Sequence, residues 1–241
     1  MLSFIRCLWN HVPYILSPTI LSKQSKIRCL ISAGPTREWI DPVRFISNPS
    51  SGKMGYALAE AAKGLKMEVS LISGPVNLHE PLDVDMVRVE TALQMQEAME
   101  SQFEGSDLII MCAAVSDHRP ADTYNTKLRK DEFPKSVDFQ RNPDILKILG
   151  SKKKKNQVLV GFAAETNDIM ISAQKKLKEK NLDWIVANDV SKNDIGFSSD
   201  NNEVTLISAD GLQKQIPSKN KAKIAKEILD AIYPSCLEKV R

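Results

Sequence analysis

The first residues whose types and spacing suit chemistry are Asn48-Pro49-Ser50-Ser51-Gly52-Lys53-Met54-Gly55. This segment runs straight into residues 54–65, where apolar side chains recur at helical spacing. Its amides can therefore converge on an anion at a helix N-terminus. Ser50, Ser51, Gly52 and Gly55 together favour phosphate over a plain Gly-rich turn. Two common phosphate loops are excluded. A Walker loop needs Gly where Ser47 stands and Ser or Thr where Met54 stands. A dinucleotide fingerprint needs three glycines directly after the first strand, and Gly34 is the one present.

Three further groups could act with it. Arg37, Glu38, Asp41 and Arg44 crowd the loop ahead of the turn. Arg44 can offer a planar fork to a phosphate, although each of these charges taken singly reads as a surface ion pair. Ala113 and Ala114 end an apolar run and let a ligand approach the backbone. Asp117, just beyond, can accept from a ribose hydroxyl or hold a metal ion. Lys127, in a polar stretch over 116–135, can close on a polyphosphate. The last group joins Asn142-Pro143-Asp144-Ile145, Phe162, Lys176 and Lys180. Asn142 is a helix cap candidate with Pro143 at the first helical position. Lys176 and Lys180 are four apart on one helix and share a face; that face suits a triphosphate or simply solvent.

The elements that must position these residues follow from apolar periodicity. Strands are expected at 27–33, 69–72, 87–89, 108–115, 158–164 and 184–187, with helices at 54–65, 92–103, 143–149, 171–180 and 221–232. Residues 34–53 read as a long loop, and 204–208 with 212–216 as a hairpin turning at Asp210-Gly211. The four-lysine run 152–155 reads as a solvated turn. Alternation of strands and helices implies a doubly wound, mostly parallel Rossmann-like sheet with a C-terminal β-hairpin. Ligands then bind beyond the carboxyl ends of the strands, after Ala33, Ser73, Ala114, Ala163 and Ala187.

The chain has 241 residues, 42% hydrophobic and 26% charged, with formal net charge +3. That balance favours neither nucleic acid nor an anionic membrane as partner. Cys7, Cys29, Cys112 and Cys236 show no CxxC spacing, which argues against disulfides or zinc and for a reducing cytoplasm. Residues 1–26 carry apolar patches broken by His11, Pro13 and Pro18. They read as an extension ahead of a single domain over 27–241, neither a membrane span nor a persuasive signal peptide.

Taken together, the segments ISAGPTRE, IDPVRFISN, SSGKMGYALAEAA, LISGPV, CAAVSDHRP, NPDIL, VGFAAET, IVANDVS and GFSSDNNEVTLI resemble bacterial phosphopantothenate–cysteine ligase, also called phosphopantothenoylcysteine synthetase. The resemblance is collinear from Ile27 to the last helix. It implies a two-step reaction. CTP activates the phosphopantothenate carboxylate as an acyl-cytidylate with loss of pyrophosphate, and the cysteine amine then displaces CMP. It further implies Mg²⁺ with the nucleotide and a homodimer. On matching positions it makes Asn48, Arg44 and Lys127 catalytic, and puts Ser50, Ser51, Gly52, Ala113 and Ala114 beside phosphopantothenate. Asp117, Lys127, Asn142, Pro143, Asp144, Ile145, Phe162, Lys176 and Lys180 fall at the nucleotide; metal ligands are not assigned. Pro49 stands where His or Arg is usual, and His118 where Tyr is usual. Many relatives carry a fused decarboxylase domain, so a stand-alone ligase working with a separate decarboxylase is expected. A dehydrogenase on the same sheet is disfavoured, because Ser73-Gly74-Pro75 replaces the acidic residue expected at the second strand's end.

Overall fold

The computed structural model describes residues 26–165, 169–189 and 201–240. The expected extension over 1–26 lies, apart from Lys26, outside the described residues. So do Cys7 and parts of the FAAET, IVANDVS and GFSSDN segments.

The chain opens with β1 (Arg28–Ala33), β2 (Arg37–Asp41), β3 (Arg44–Ser47) and α1 (Lys53–Gly64). Next come β4 (Glu68–Ser73), β5 (Asp85–Arg88), α2 (Ala92–Phe103), β6 (Leu108–Met111) and β7 (His118–Pro120). They are followed by β8 (Phe139–Arg141), α3 (Ile145–Lys152), β9 (Val158–Glu165) and α4 (Ile169–Glu179). The chain finishes with β10 (Trp184–Asp189), β11 (Asn201–Ser208), β12 (Gln213–Asn220) and α5 (Lys221–Val240).

One eight-stranded sheet has the order β12-β11-β10-β9-β6-β1-β4-β5. The six strands from β10 to β5 are parallel, while β11 and β12 pair antiparallel at one edge. The expected fold class is the one found. Strands buried on both faces explain the continuous apolar runs. Leu30, Ile109 and Leu159 join the layer of α2, α3 and α4, whereas Ile31, Leu108, Ile110 and Val160 join that of α1 and α5. Each such side chain, wholly removed from water, contributes about 1.5–3 kcal/mol. The chain winds one way through β4 and β5 and the other way through β9 and β10. Strand order therefore reverses between β1 and β6, which is where ligands bind in this architecture.

Several expectations need correction. Residues 34–53 contain the β2–β3 hairpin. Trp39 packs edge-on against Phe45 at 4.9 Å, and Arg37 lies over the Phe45 ring at 4.6 Å. Glu38 and Asp41 are buried there, so neither is a surface ion-pair residue. The polar stretch 116–135 begins with β7, which pairs with β8. The third strand is β5, one residue short of Val89. Strand β6 stops at Met111, because the Ser32 hydroxyl accepts from both the Cys112 and Ala113 amides at 3.1 Å and turns the chain away. Helix α3 starts at Ile145 with Asp144 as its cap, accepting from Lys147 N at 3.0 Å. Asn142 is not the cap; its Nδ2 donates to Ser116 O at 2.8 Å and its Oδ1 accepts from Arg119 at 3.0 Å. The lysine run is no mere solvated turn, since Lys153 reaches Asp183 at 2.9 Å. Helix α5 continues past Ile232 through Pro234, with Cys236 buried and Lys239 2.6 Å from Asp183.

Candidate active site

The reversal point is built from three short segments. Beyond β6, Ala114 N donates to Gly34 O at 2.9 Å and Ala114 O accepts from Thr36 N at 3.4 Å. This fixes residues 113–115 as a wall against the end of β1. The second segment leaves the hairpin. Asn48 Nδ2 donates to Ala114 O and to Val115 O, each at 3.2 Å, and tethers the turn to that wall. The third is the N-terminus of α1. Gly52 has φ 75°, and a Cβ on it would lie 2.6 Å from Val76 Cγ1, so the position demands glycine. Helix α2 carries a capping box at Thr91 and α3 is capped by Asp144, but no side chain caps α1. Its first residues line a cavity, with the positive end of the helix dipole behind them.

These segments enclose a cavity of about 330 Å³. Asn48, Ser50, Ser51, Gly52, Gly55, Ala113, Ala114, Asp117, Phe162 and Lys176 line it, so ten of the residues singled out from sequence come together. The wall also includes Lys53 from the turn itself, and Cys112, Asn188, Asn202 and Lys221, to which sequence reasoning gave no role. Asn188 was within reach, since it follows Ala187 at a strand's carboxyl end. Lys221 and Asn202 were not. They arrive because β12 runs parallel to β10 and delivers the start of α5 to the same end of the sheet. Lys53, Lys176 and Lys221 face one carboxylate, Asp117, among the described lining residues, a balance that suits a polyanion. Cys112 is half-buried, and desolvation pushes its thiol up to about 12 despite the nearby Lys221 charge. It stays protonated and is no nucleophile.

Arg44 is not on the cavity wall. Its Nη1 donates to Asp41 Oδ2 at 2.7 Å and to Leu128 O at 3.4 Å, and its guanidinium lies 4.5 Å over the Phe133 ring. One nitrogen of the fork expected to meet phosphate is thus engaged within the protein. Asp41 also accepts from the Val43, Arg44 and Leu128 amides, at 2.8, 2.8 and 3.3 Å. Desolvation would raise the Asp41 pKa, but those three amides and the Arg44 charge outweigh it and hold the carboxyl below its ordinary value. Arg44 and Asp41 thus anchor the 123–135 loop to the hairpin that leads into Asn48. The bond from Tyr124 N to Ile40 O, 2.9 Å, adds a second stitch.

Lys127 lies next to that anchor, exposed and off the cavity wall. Lys127→Gln should leave stability within about 0.5 kcal/mol while slowing any nucleotide-dependent step. A thermal melt beside a turnover assay checks this, and a large fall in melting temperature would place the residue in the scaffold. Asn142 to Ile145 also stand off the wall, but Asn142 N donates to Asp117 O at 2.8 Å and sets the segment beside it. Lys176 and Lys180 part company: Lys176 lines the cavity, whereas Lys180 pairs with Asp144 at 2.9 Å. Among the described residues, no cluster of three His, Cys, Asp or Glu could hold a metal, and no helix is long and apolar enough to cross a membrane.

Comparison with known proteins decides the lineage. Residues 24–235 match the family described as DNA/pantothenate metabolism flavoprotein C-terminal domain. The chain belongs to that family. It is 50% identical over 204 residues to the coenzyme A biosynthesis bifunctional protein CoaBC of Bacillus subtilis (strain 168), covering 84% of this chain and 50% of that protein. The CoaBC of Vibrio vulnificus (strain CMCP6) is 46% identical over 205 residues, covering 84% and 51%. The chain thus spans about half the length of the curated relatives it matches. A crystal structure of the C-terminal domain of CoaBC superposes with a TM-score of 0.75 at 44% identity, covering 88% of this chain and 96% of that one. That domain, a relative of this chain in the DNA/pantothenate metabolism flavoprotein C-terminal domain family, therefore has the same overall fold.

Proposed function

We propose that the protein joins (R)-4′-phosphopantothenate to L-cysteine at the expense of CTP, as a ligase of coenzyme A biosynthesis. The observation that carries this reading is the cavity at the β1/β6 reversal, where the uncapped α1 N-terminus, Asn48, Asp117 and Lys176 meet. Kinship to proteins named for coenzyme A biosynthesis supports it.

The substrate phosphate lies against Ser50, Ser51 and the first amides of α1, with the pantothenate chain along Ala113 and Ala114. The nucleotide occupies the side of Asp117, Phe162 and Lys176, with residues 142–145 and Lys180 beside it. The substrate carboxylate attacks the α-phosphorus, the bond to pyrophosphate breaks, and an acyl-cytidylate forms. The cysteine amine then adds to the acyl carbon, CMP leaves, and the amide remains. Lys176 and Lys127 offset the charge of two polyanions brought together. Neither step needs a nucleophile from the protein, in keeping with the protonated Cys112.

Mg²⁺ fits this donor set only in a limited way. Mg²⁺ commonly takes one or two carboxylates plus substrate phosphates, and Asp117 is the carboxylate at hand. Bound there with the triphosphate, the ion would neutralise phosphate charge. A homodimer is part of the proposal, and Val43 and Phe45, exposed on the β2–β3 hairpin, offer apolar surface for it. A decarboxylase would take the product, in a cytoplasmic setting.

The expected result with purified protein is pyrophosphate release that requires CTP and phosphopantothenate but not cysteine. Pyrophosphate seen only when cysteine is present, with no acyl-cytidylate trapped, would sink the stepwise route. No release under any combination would sink the ligase reading itself.

A further inference from the structure

Asp41 closes β2, and its two carboxylate oxygens divide between two tasks. Its side chain is wholly removed from water. Oδ1 accepts from the Val43 and Arg44 amides, each at 2.8 Å, and so shapes the turn into β3. Oδ2 accepts from Arg44 Nη1 at 2.7 Å and from the Leu128 amide, 87 residues along the chain, at 3.3 Å. Leu128 O in turn accepts from the same Arg44 Nη1 at 3.4 Å. Both main-chain polar groups of Leu128 are therefore held, by a carboxylate and a guanidinium that are themselves paired. Phe133, 4.5 Å from the Arg44 guanidinium, attaches the loop a second time.

Leu128 is half-buried, while residues 121–127 and 129–130 on either side of it are exposed. Fixing a backbone residue opposes its conformational entropy, and an exposed loop has little core packing to offset that cost. The charged ring around Leu128 supplies the offset at one point of the loop. That point adjoins Lys127. A lysine carries its charge on a flexible four-carbon stem, so where the ammonium can reach depends on where the backbone beneath it stands. Pinning residue 128 sets that base.

We infer that Asp41 is a positioning residue of the reaction: through Oδ2 it pins Leu128 and so sets the backbone from which Lys127 works. The inference rests on the ligase reading, which supplies the task of Lys127. It separates the two oxygens of one carboxylate. Oδ1 serves the fold of the hairpin, and Oδ2 serves turnover from a place off the cavity wall.

The test uses the full chain with Asp41→Asn, Asp41→Ala, Lys127→Gln, and Asp41→Asn combined with Lys127→Gln. Asparagine keeps one carbonyl oxygen for the Val43 and Arg44 amides but sets an amide nitrogen where Leu128 needs an acceptor. Asp41→Asn should therefore melt above Asp41→Ala, which loses the turn as well. Its kcat should fall about tenfold, a share of the roughly 10²-fold that a displacement near 1 Å can cost. The KM for phosphopantothenate should not change. In the Lys127→Gln background the same substitution should add no further loss, because residues acting through one another are not additive. A second measurement needs no variant. In the unaltered protein the Leu128 amide should exchange its hydrogen about tenfold more slowly than those of Asn125 and Lys127, and Asp41→Asn should abolish that protection. Exchange at Leu128 as fast as at its neighbours would overturn the inference. So would an equal loss of kcat with and without Lys127, which would route the effect through Arg44 or Asn48. A rise in kcat would overturn it too, by making the bond a restraint on the loop. Unchanged kcat with a lowered melt would make Asp41 a scaffold residue. If the unaltered protein forms no product from CTP, phosphopantothenate and cysteine, the ligase reading falls and the inference with it; if it does, and Asp41→Asn turns over equally well, only the role of Asp41 falls.

Discussion

Asn48→Asp should lower the rate of product formation by about 10²–10³-fold and should also soften the site's wall. Both effects come from one geometric fact. The Asn48 Nδ2 donates to Ala114 O and Val115 O, so the amide ties the phosphate turn to the segment beyond β6. An aspartate keeps the shape, removes both donors, and sets a carboxylate against two carbonyl oxygens. The turn should move off the wall, and an anion now approaches a reaction centre that handles a carboxylate and two phosphates. Because Asn48 is exposed, the stability loss should be modest, about 1 kcal/mol. Asn48→Ala serves as the uncharged comparison. It loses the same bonds without the repulsion and should melt higher than Asn48→Asp. Steady-state turnover, chemical trapping of the acyl-nucleotide and a thermal melt read the three parts separately. Accumulated intermediate would assign Asn48 to the attack by cysteine, whereas absence of intermediate would assign it to activation. Unchanged turnover by Asn48→Asp would take the residue out of the mechanism.

The parallel sheet was legible because its strands are buried on both faces and therefore written as uninterrupted apolar runs, as in β1 and β6. Helix α1 was legible from its apolar spacing, and its uncapped start from the Ser-Ser-Gly turn. The β2–β3 hairpin was not, and the reason is physical. Glu38 and Asp41 are charged residues serving as internal acceptors, Glu38 for Ala92 N at 3.0 Å and Asp41 for the Leu128 amide of a distant loop. A buried carboxylate answered by backbone amides looks the same in sequence as a solvated one. The same holds for Arg44: its fork reads as a ligand for phosphate, and its Nη1 bonds to Asp41 and to Leu128 O could not be read from the sequence. Lys221 eluded the sequence for a topological reason. Only the antiparallel return through β11 and β12 brings the start of α5 to the ligand end of the sheet. Asn142 was given the cap that belongs to Asp144, because both residues are good caps and the deciding bond, Asn142 Nδ2 to Ser116 O, is non-local.

Gly55→Ala should cost both stability and activity, although alanine is the better helix former by about 0.8–1.0 kcal/mol. In sequence, Gly55 reads as one of the glycines that admit phosphate. In the fold it lines the cavity, and it is also the point where α1 crosses the end of β1. A Cβ there would lie 2.5 Å from the Ala33 Cβ, 3.1 Å from the Ala33 Cα and 3.3 Å from Ser32 O. Two of those three neighbours are main chain of the central strand, and the third is a Cβ fixed to it. The helix must therefore be the part that moves. Overpacking of this kind typically costs about 1–3 kcal/mol, enough to absorb the gain in helix propensity. For a domain of this size each kcal/mol lowers the melting temperature by roughly 2–4 °C. The same displacement carries the first-turn amides away from the ligand, and a shift near 1 Å in a positioning element can cost about 10²-fold in rate. Melts without ligand should therefore fall together with kcat/KM for phosphopantothenate. An unchanged melt with weakened phosphopantothenate binding would return Gly55 to the role its sequence position suggests, a glycine kept for the ligand. An unchanged melt and unchanged turnover would show that α1 and β1 can part far enough to seat the methyl group without consequence, and that the reversal point is less tightly built than its contacts imply.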